Sequence, residues 1–167
     1  MVLTKAELIA SLQHEIHVLL HLAGKIDQAM RDYRPTPKQR STFELLKYLS
    51  YMGPVMVEAA KGGGFDGAAW GAATQLADAR DLPQTLAAIA AQRDGYAAAL
   101  GAWSDADFRV EIEMFGRKTT RGAFLVNTVL CGYAAYRTQL FLYLKACGRD
   151  ELNTMNLWAG VDAPMAV

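Results

Sequence analysis

Cys131-Gly-Tyr-Ala-Ala-Tyr-Arg-Thr-Gln-Leu-Phe-Leu-Tyr-Leu-Lys-Ala-Cys-Gly148 forms the heart of the chain's last long apolar stretch, Thr120 to Gly148. It contains no proline, is rich in Leu, Ala, Tyr and Phe, and stops at a glycine, the pattern of a long helix with a glycine C-cap. On a wheel of about 100° per residue, Leu125, Val129, Gly132, Tyr136, Leu140 and Tyr143 share one side. Val126, Leu130, Tyr133, Phe141 and Leu144 form a second apolar stripe beside it. Little polar face remains beyond Asn127, Arg137, Thr138 and Lys145. A helix apolar around most of its circumference is normally covered on more than one side.

Working outward, three further helices are expected. Thr4-Lys-Ala-Glu7 and Ser41-Thr-Phe-Glu44 are capping boxes, and Asp81-Leu-Pro-Gln84 places an Asp N-cap before a proline in the first turn. The helices are expected at about 4–31, 41–61, 82–101 and 120–147. Arg34-Pro-Thr-Pro37 closes off the first, and Gly53-Pro54 should kink or interrupt the second. The glycine-rich segment from Gly62 to Ala73, with Phe65 and Trp70, reads as a loop with a short helical turn at Ala68 to Ala77: a lid over a site, or a connection plugged by Trp70. Phe108 to Phe115 alternates apolar and charged residues and reads as an extended edge segment.

The chain of 167 residues is expected to be a single domain, residues 1–167, large enough to bury a core without staples. Hydrophobic residues at 52% and charged residues at 20% fit a helical globule. Zero formal net charge leaves no electrostatic footprint for nucleic acid or an anionic membrane surface. There is no apolar run long enough for a membrane span, and Met-Val-Leu-Thr-Lys-Ala-Glu lacks the layout of a signal peptide, so a cytoplasmic location is expected. Cys131 and Cys147 on one helix stand about 24 Å apart, beyond disulfide reach.

A family resemblance rests on several short motifs. Ala135-Tyr-Arg-Thr-Gln-Leu140, then Tyr143-Leu-Lys145 and Gly148, resembles the last helix of the DinB/YfiT-like proteins. That helix usually carries His-x-x-x-His, then Arg-Gly-Gln-Leu, Tyr-Leu-Arg and a glycine. Tyr33-Arg-Pro-Thr-Pro37 and Ser41 to Leu49 look like the family's loop and second helix, and Phe115 to Arg121 like its lead-in to the last helix. The resemblance covers most of the chain in order. It implies an all-α, DinB-like four-helix bundle with a long crossover between helices 2 and 3. The family's three metal-binding histidines would fall at Tyr48, Gly132 and Tyr136, none a histidine here. Metal-dependent thiol transferases and a maleylpyruvate isomerase are family members that keep the triad.

The three histidines, His14, His17 and His21, lie instead at i, i+3, i+7 on the first helix, opposite its Leu/Ile stripe. This is a solvated or interface strip, open at most to adventitious metal. Arg93 recurs with Leu82, Leu86, Ile89, Tyr96 and Leu100, and so is expected on the core-facing side, where it either leans to the rim or binds an anion. Arg117, Lys118 and Arg121 either hold a phosphate or carboxylate or form a solvated loop. No serine or cysteine has an evident base beside it, and paired inward carboxylates are missing, with Glu44, Glu58, Glu111 and Glu113 reading as cap or surface residues.

The expected site is therefore a pocket lined by Tyr48, Arg93, Gly132 and Tyr136, with Tyr133 a further candidate. The two tyrosines either satisfy each other as structure or present hydroxyls to a small polar or anionic ligand. Two functions stay open: a metal-free bundle with no cofactor that binds a small molecule or a partner, and a metal-dependent thiol S-transferase or hydrolase-type enzyme with a displaced metal. A homodimer covering Leu130, Phe141 and Leu144 is also expected, against a competing arrangement in which the tail around Leu157 and Trp158 folds over that stripe.

Overall fold

Helix α1, Lys5–Ala23, begins where its capping box places it: the Thr4 hydroxyl accepts from the Glu7 amide and the Glu7 carboxylate accepts from the Thr4 amide. The structure, a computed structural model, describes residues 3–162. The helix stops at Ala23 and does not run on to Arg31. Asp27 caps a separate 3₁₀ turn, Gln28–Met30, by accepting from the Met30 amide, so local side-chain bonding there competes with helix continuation.

Pro54 breaks the second helix as its chemistry requires. It has no N–H for the Ser50 carbonyl and its ring crowds the preceding turn, so α2, Thr42–Leu49, ends at Ser50 and α3, Met52–Gly62, starts anew. The segment expected as a loop is a helix of twelve residues, α4, Gly67–Asp78, capped by the Asp66 carboxylate. Its alanines outweigh Gly67 and Gly71, and only Gly63 to Asp66 remain as connection. Helix α4 lies against α2 and α3 with one buried residue, Ala77.

Helix α5, Leu82–Gly101, matches its expected span and starts with the Asp81/Gln84 capping box. A short α6, Asp105–Arg109, leads into a hairpin of β1, Glu111–Met114, and β2, Arg117–Thr120, paired antiparallel with Met114 opposite Arg117. The extended reading thus holds from Glu111, while Phe108 is helical and Arg117 and Lys118 are strand residues. Ile112 and Met114 point inward. Phe115 and Gly116 make the two-residue turn with φ of +52° and +74°, the left-handed pair that a tight hairpin demands.

The last helix has three parts: α7, Arg121–Phe124, a π-helical stretch Leu125–Leu130, and α8, Cys131–Ala146. A π turn holds one more residue than an α turn and so sets everything after it back by about 100°. This brings Tyr133 and Arg137 inward in place of Gly132 and Tyr136, while Leu140 and Tyr143 stay buried. Beyond the turn Tyr133, Arg137, Leu140 and Leu144 face the core, while Gly132 and Tyr136 move to its flank.

The core is formed where α1 packs on α5 and α8, and where α2 and α3 close on α5 and the π stretch. Leu144, expected at a dimer surface, is fully buried within the chain, whereas Leu130 and Phe141 are half-buried. A final helix, α9, Thr154–Trp158, packs on α1 and α8. It lies over the histidine strip: His14 Nε2 is 2.8 Å from the Trp158 carbonyl, and His21 Nε2 is 3.0 Å from the Asn156 amide. Among the described residues no helix is long and apolar enough to cross a membrane.

Candidate functional site

Tyr48 near the end of α2 and Tyr136 in α8 meet edge to face, with ring centroids 5.1 Å apart. With Gly132, Met52, Met56 and Cys131 they line a cavity of about 400 Å³ between α2–α3 and the last helix. The positions to which the family resemblance assigns metal ligands therefore converge. A side chain at Gly132 would begin 3.3 Å from the Met52 terminal methyl, so the glycine leaves open space bounded by one flexible group. The Arg40 guanidinium lies over the Tyr48 ring, 4.1 Å from its centroid, in a cation–π contact.

Burial, and then the Tyr136 hydroxyl beside it, push the Tyr48 phenol well above its ordinary pKa. The Tyr48 hydroxyl on the cavity wall is therefore held protonated. This donor set does not fit a divalent ion, which needs neutral imidazole, thiolate or carboxylate. Among the described residues no group of three or more His, Cys, Asp or Glu is placed to hold a metal.

Arg93 is not in the pocket. It is exposed, and the neighbouring Gln92 takes the inward place, 4% exposed. The expected stripe holds at Ile89, Tyr96 and Leu100, and between them the buried place falls to Gln92, whose amide donates to the Leu49 carbonyl at 3.0 Å, at the α2–α3 break. Tyr133 also leaves the pocket for the core. Its hydroxyl donates to Gln92 Oε1 and stands 2.7 Å from the Tyr96 hydroxyl, which is 3.2 Å from the same Gln92 oxygen. Gly53 passes directly over both hydroxyls, and any β-carbon there would overlap them. Burial raises the pKa of both phenols. This buried polar cluster satisfies the helix break and belongs to the structure.

The sequence reading missed Glu15. It is buried on α1, and its carboxylate pairs with Arg137, which reading on a straight wheel left on the outer face. The available signal was its position among Leu12, Ile16, Val18 and Leu19, inside the buried arc of α1.

Next to the tyrosine cavity is a second one of about 370 Å³, reaching the β-hairpin. Arg117 and Lys118 line it, and it shares Asn127 and Thr128 with the first. Arg117 has no carboxylate partner among the described residues, and Lys118 is 3.3 Å from Glu111 with both groups well exposed. Arg121 is turned away, its guanidinium donating to the Ala60 and Lys61 carbonyls at the end of α3. A third, strongly apolar hollow of about 540 Å³ lies at the start of α1 between Leu8, Phe108 and Val126, and shares Asn127 with the other two.

No protein-family model and no curated protein matches the chain. Among solved structures, it is similar to a DinB-like protein from Bacillus subtilis, YjoA, at 21% identity and a TM-score of 0.68. The likeness covers 87% of this chain and 94% of that one. A likeness of this extent at low identity speaks to architecture: the chain has the all-α, DinB-like bundle fold.

Proposed function

We propose that this protein is a metal-free bundle that binds a small molecule in the cavity between Tyr48 and Tyr136. The observation that carries the reading is the convergence of Tyr48, Gly132 and Tyr136 on one cavity of about 400 Å³, with the Tyr48 hydroxyl held protonated by burial. Its size suits a small ligand, with the tyrosine hydroxyls as orienting groups and Met52 and Met56 as an adaptable apolar floor. A phenol must lose its proton to serve as a strong ligand to zinc or nickel, and burial of Tyr48 makes that loss harder. The reading therefore includes no metal and no catalysed reaction.

Elemental analysis of untagged protein tests it. The expected result is less than stoichiometric zinc, nickel, iron or manganese, with any trace binding removed in His14→Ala/His17→Ala. A stoichiometric ion that is lost in Tyr48→Phe/Tyr136→Phe would overturn the reading and restore metal-dependent thiol-transfer chemistry as the leading account.

A further inference from the structure

An unbroken run of aromatic rings joins the two neighbouring cavities. Tyr136 meets Tyr48 at 5.1 Å, Tyr48 meets Trp70 of α4 at 6.0 Å, Trp70 meets Phe65 at 5.7 Å, and Phe65 meets Phe115 of the hairpin turn at 5.2 Å. The run starts on the wall of the tyrosine cavity and ends on the wall of the basic one. Asn127 and Thr128 of the last helix line both cavities. The π turn sits at this place, an irregularity that recurs where helices build ligand sites.

Phe115 is the telling residue. It is the one non-glycine with positive φ among the described residues, and it is 62% exposed. Asn or Gly would suit this turn position, and a bulky residue there is strained. Core burial does not offset that strain, because the ring is in solvent apart from its contact with Phe65, itself 40% exposed. Two exposed rings in tilted contact beside the basic cavity gain contact area when a flat apolar body lies against them.

At the same end, Arg117 is a guanidinium without a carboxylate partner, and Lys118 is held only by the exposed Glu111. A guanidinium fork matches a carboxylate in two parallel hydrogen bonds, and the charge supplies an orientation that apolar contacts alone do not.

We infer that the two cavities form one cleft for a planar aromatic carboxylate, its ring system along the aromatic run and its carboxylate toward Arg117 and Lys118. This rests on the small-molecule reading of the tyrosine cavity and names the class of ligand. Glu111 competes for Lys118, so Arg117 is the principal anchor. The protein's zero net charge provides no general attraction for anions, so selectivity for the acid must be local to these residues.

Isothermal titration with 2-naphthoate and with its neutral counterpart 2-naphthalenemethanol tests the inference. The acid is expected to bind at least ten-fold more tightly than the alcohol, and Arg117→Gln/Lys118→Gln should remove that preference while leaving the alcohol's affinity unchanged. Naphthoate should also change tryptophan emission in the wild type and not in Trp70→Phe. Gly132→Leu, which fills the tyrosine cavity, should weaken both ligands, with circular dichroism confirming that each variant is folded. Equal binding of acid and alcohol, both sensitive to Gly132→Leu, overturns the anion assignment and leaves the small-molecule site standing. Binding of the acid that Gly132→Leu does not affect overturns the joint cleft and the tyrosine site together. Absence of binding by both probes at millimolar concentration overturns the aromatic assignment.

Discussion

Arg137 Nε donates to Glu15 Oε2 at 2.5 Å, joining α8 to α1 inside the protein with the arginine 4% and the glutamate 9% exposed. The same guanidinium donates through Nη1 to the Leu157 carbonyl and lies 4.9 Å from the Trp158 ring centroid. One buried cation therefore fixes two bundle helices and seats α9. Removing a single partner leaves the other charge buried and unpaired, a loss of about 3–5 kcal/mol. Glu15→Gln and Arg137→Met are each expected to lower the urea midpoint sharply. Glu15→Leu/Arg137→Met should recover most of the loss, since apolar replacement of a whole buried pair is often neutral. A double variant no more stable than the singles would contradict this account.

Gly53 and the Tyr96–Tyr133 pair form the second coupled unit. The Gly53 backbone runs so close to both hydroxyls that alanine cannot fit without displacing them. Gly53→Ala is expected to cost about 1–3 kcal/mol through overpacking, although alanine is the better helix former. In the Tyr96→Phe/Tyr133→Phe background that penalty should shrink, because the clashing oxygens are gone. A double-mutant cycle by chemical denaturation measures the coupling, and simple additivity would refute it.

These two units also show where sequence reading reached its limit. Thr4 with Glu7, Ser41 with Glu44, and Asp81 as an N-cap are legible because a cap is made by residues three apart, and all three form as expected, Gln84 completing a box at Asp81 as well. The break at Pro54 is legible for the same local reason. Arg137 and Tyr133 were assigned to the wrong face because the π turn at Leu125–Leu130 resets the helix phase. A repeat of buried residues every four positions, Leu125, Val129, Tyr133, Arg137, drifts about 40° per step on a straight α-helix and was its faint trace. Gln92 displaced Arg93 because of a carbonyl freed on another helix, a tertiary fact that periodicity does not contain. The meeting of Tyr48, Gly132 and Tyr136 followed from family resemblance. Nothing in their spacing alone pairs α2 with α8.

Assembly gives a third prediction. With Leu144 buried inside the chain, a homodimer through the last helix is proposed on Leu130 and Phe141 together with Leu142, which is 58% exposed. Helix α9 covers the Arg137 side and leaves Leu142 uncovered. Light scattering at micromolar concentration is expected to return twice 18.2 kDa, and Leu142→Glu should return the single mass by placing an unpaired charge in the interface. The single mass for the wild type would remove the dimer.

The contact of α9 with α1 should depend on pH through His21. Its Nε2 accepts from the Asn156 amide, which requires the unprotonated nitrogen, while Asp162 Oδ1 stands 3.6 Å away. Burial is the largest influence on His21 and lowers its pKa; the attraction of Asp162 opposes this, and Lys25 and His17 reinforce it. A histidine whose folded pKa lies below its unfolded value of about 6.5 binds fewer protons in the fold than in the unfolded chain over that interval. Its contribution is therefore complete above about pH 6.5 and declines as pH falls toward the folded pKa. Asp162 is held low chiefly by Lys25, so it stays ionised throughout this window and does not mask the effect. Around α9 the other groups are His14, His17 and the buried Glu15–Arg137 pair. Amide exchange of α9 should accelerate between pH 7 and 5.5 relative to the core of α1, after correction for intrinsic exchange rates. His21→Gln, which keeps an acceptor for Asn156 but does not titrate, should flatten that dependence. If the pH dependence persists in His21→Gln and disappears in His14→Gln, the contact at Trp158 is the sensor and His21 is not.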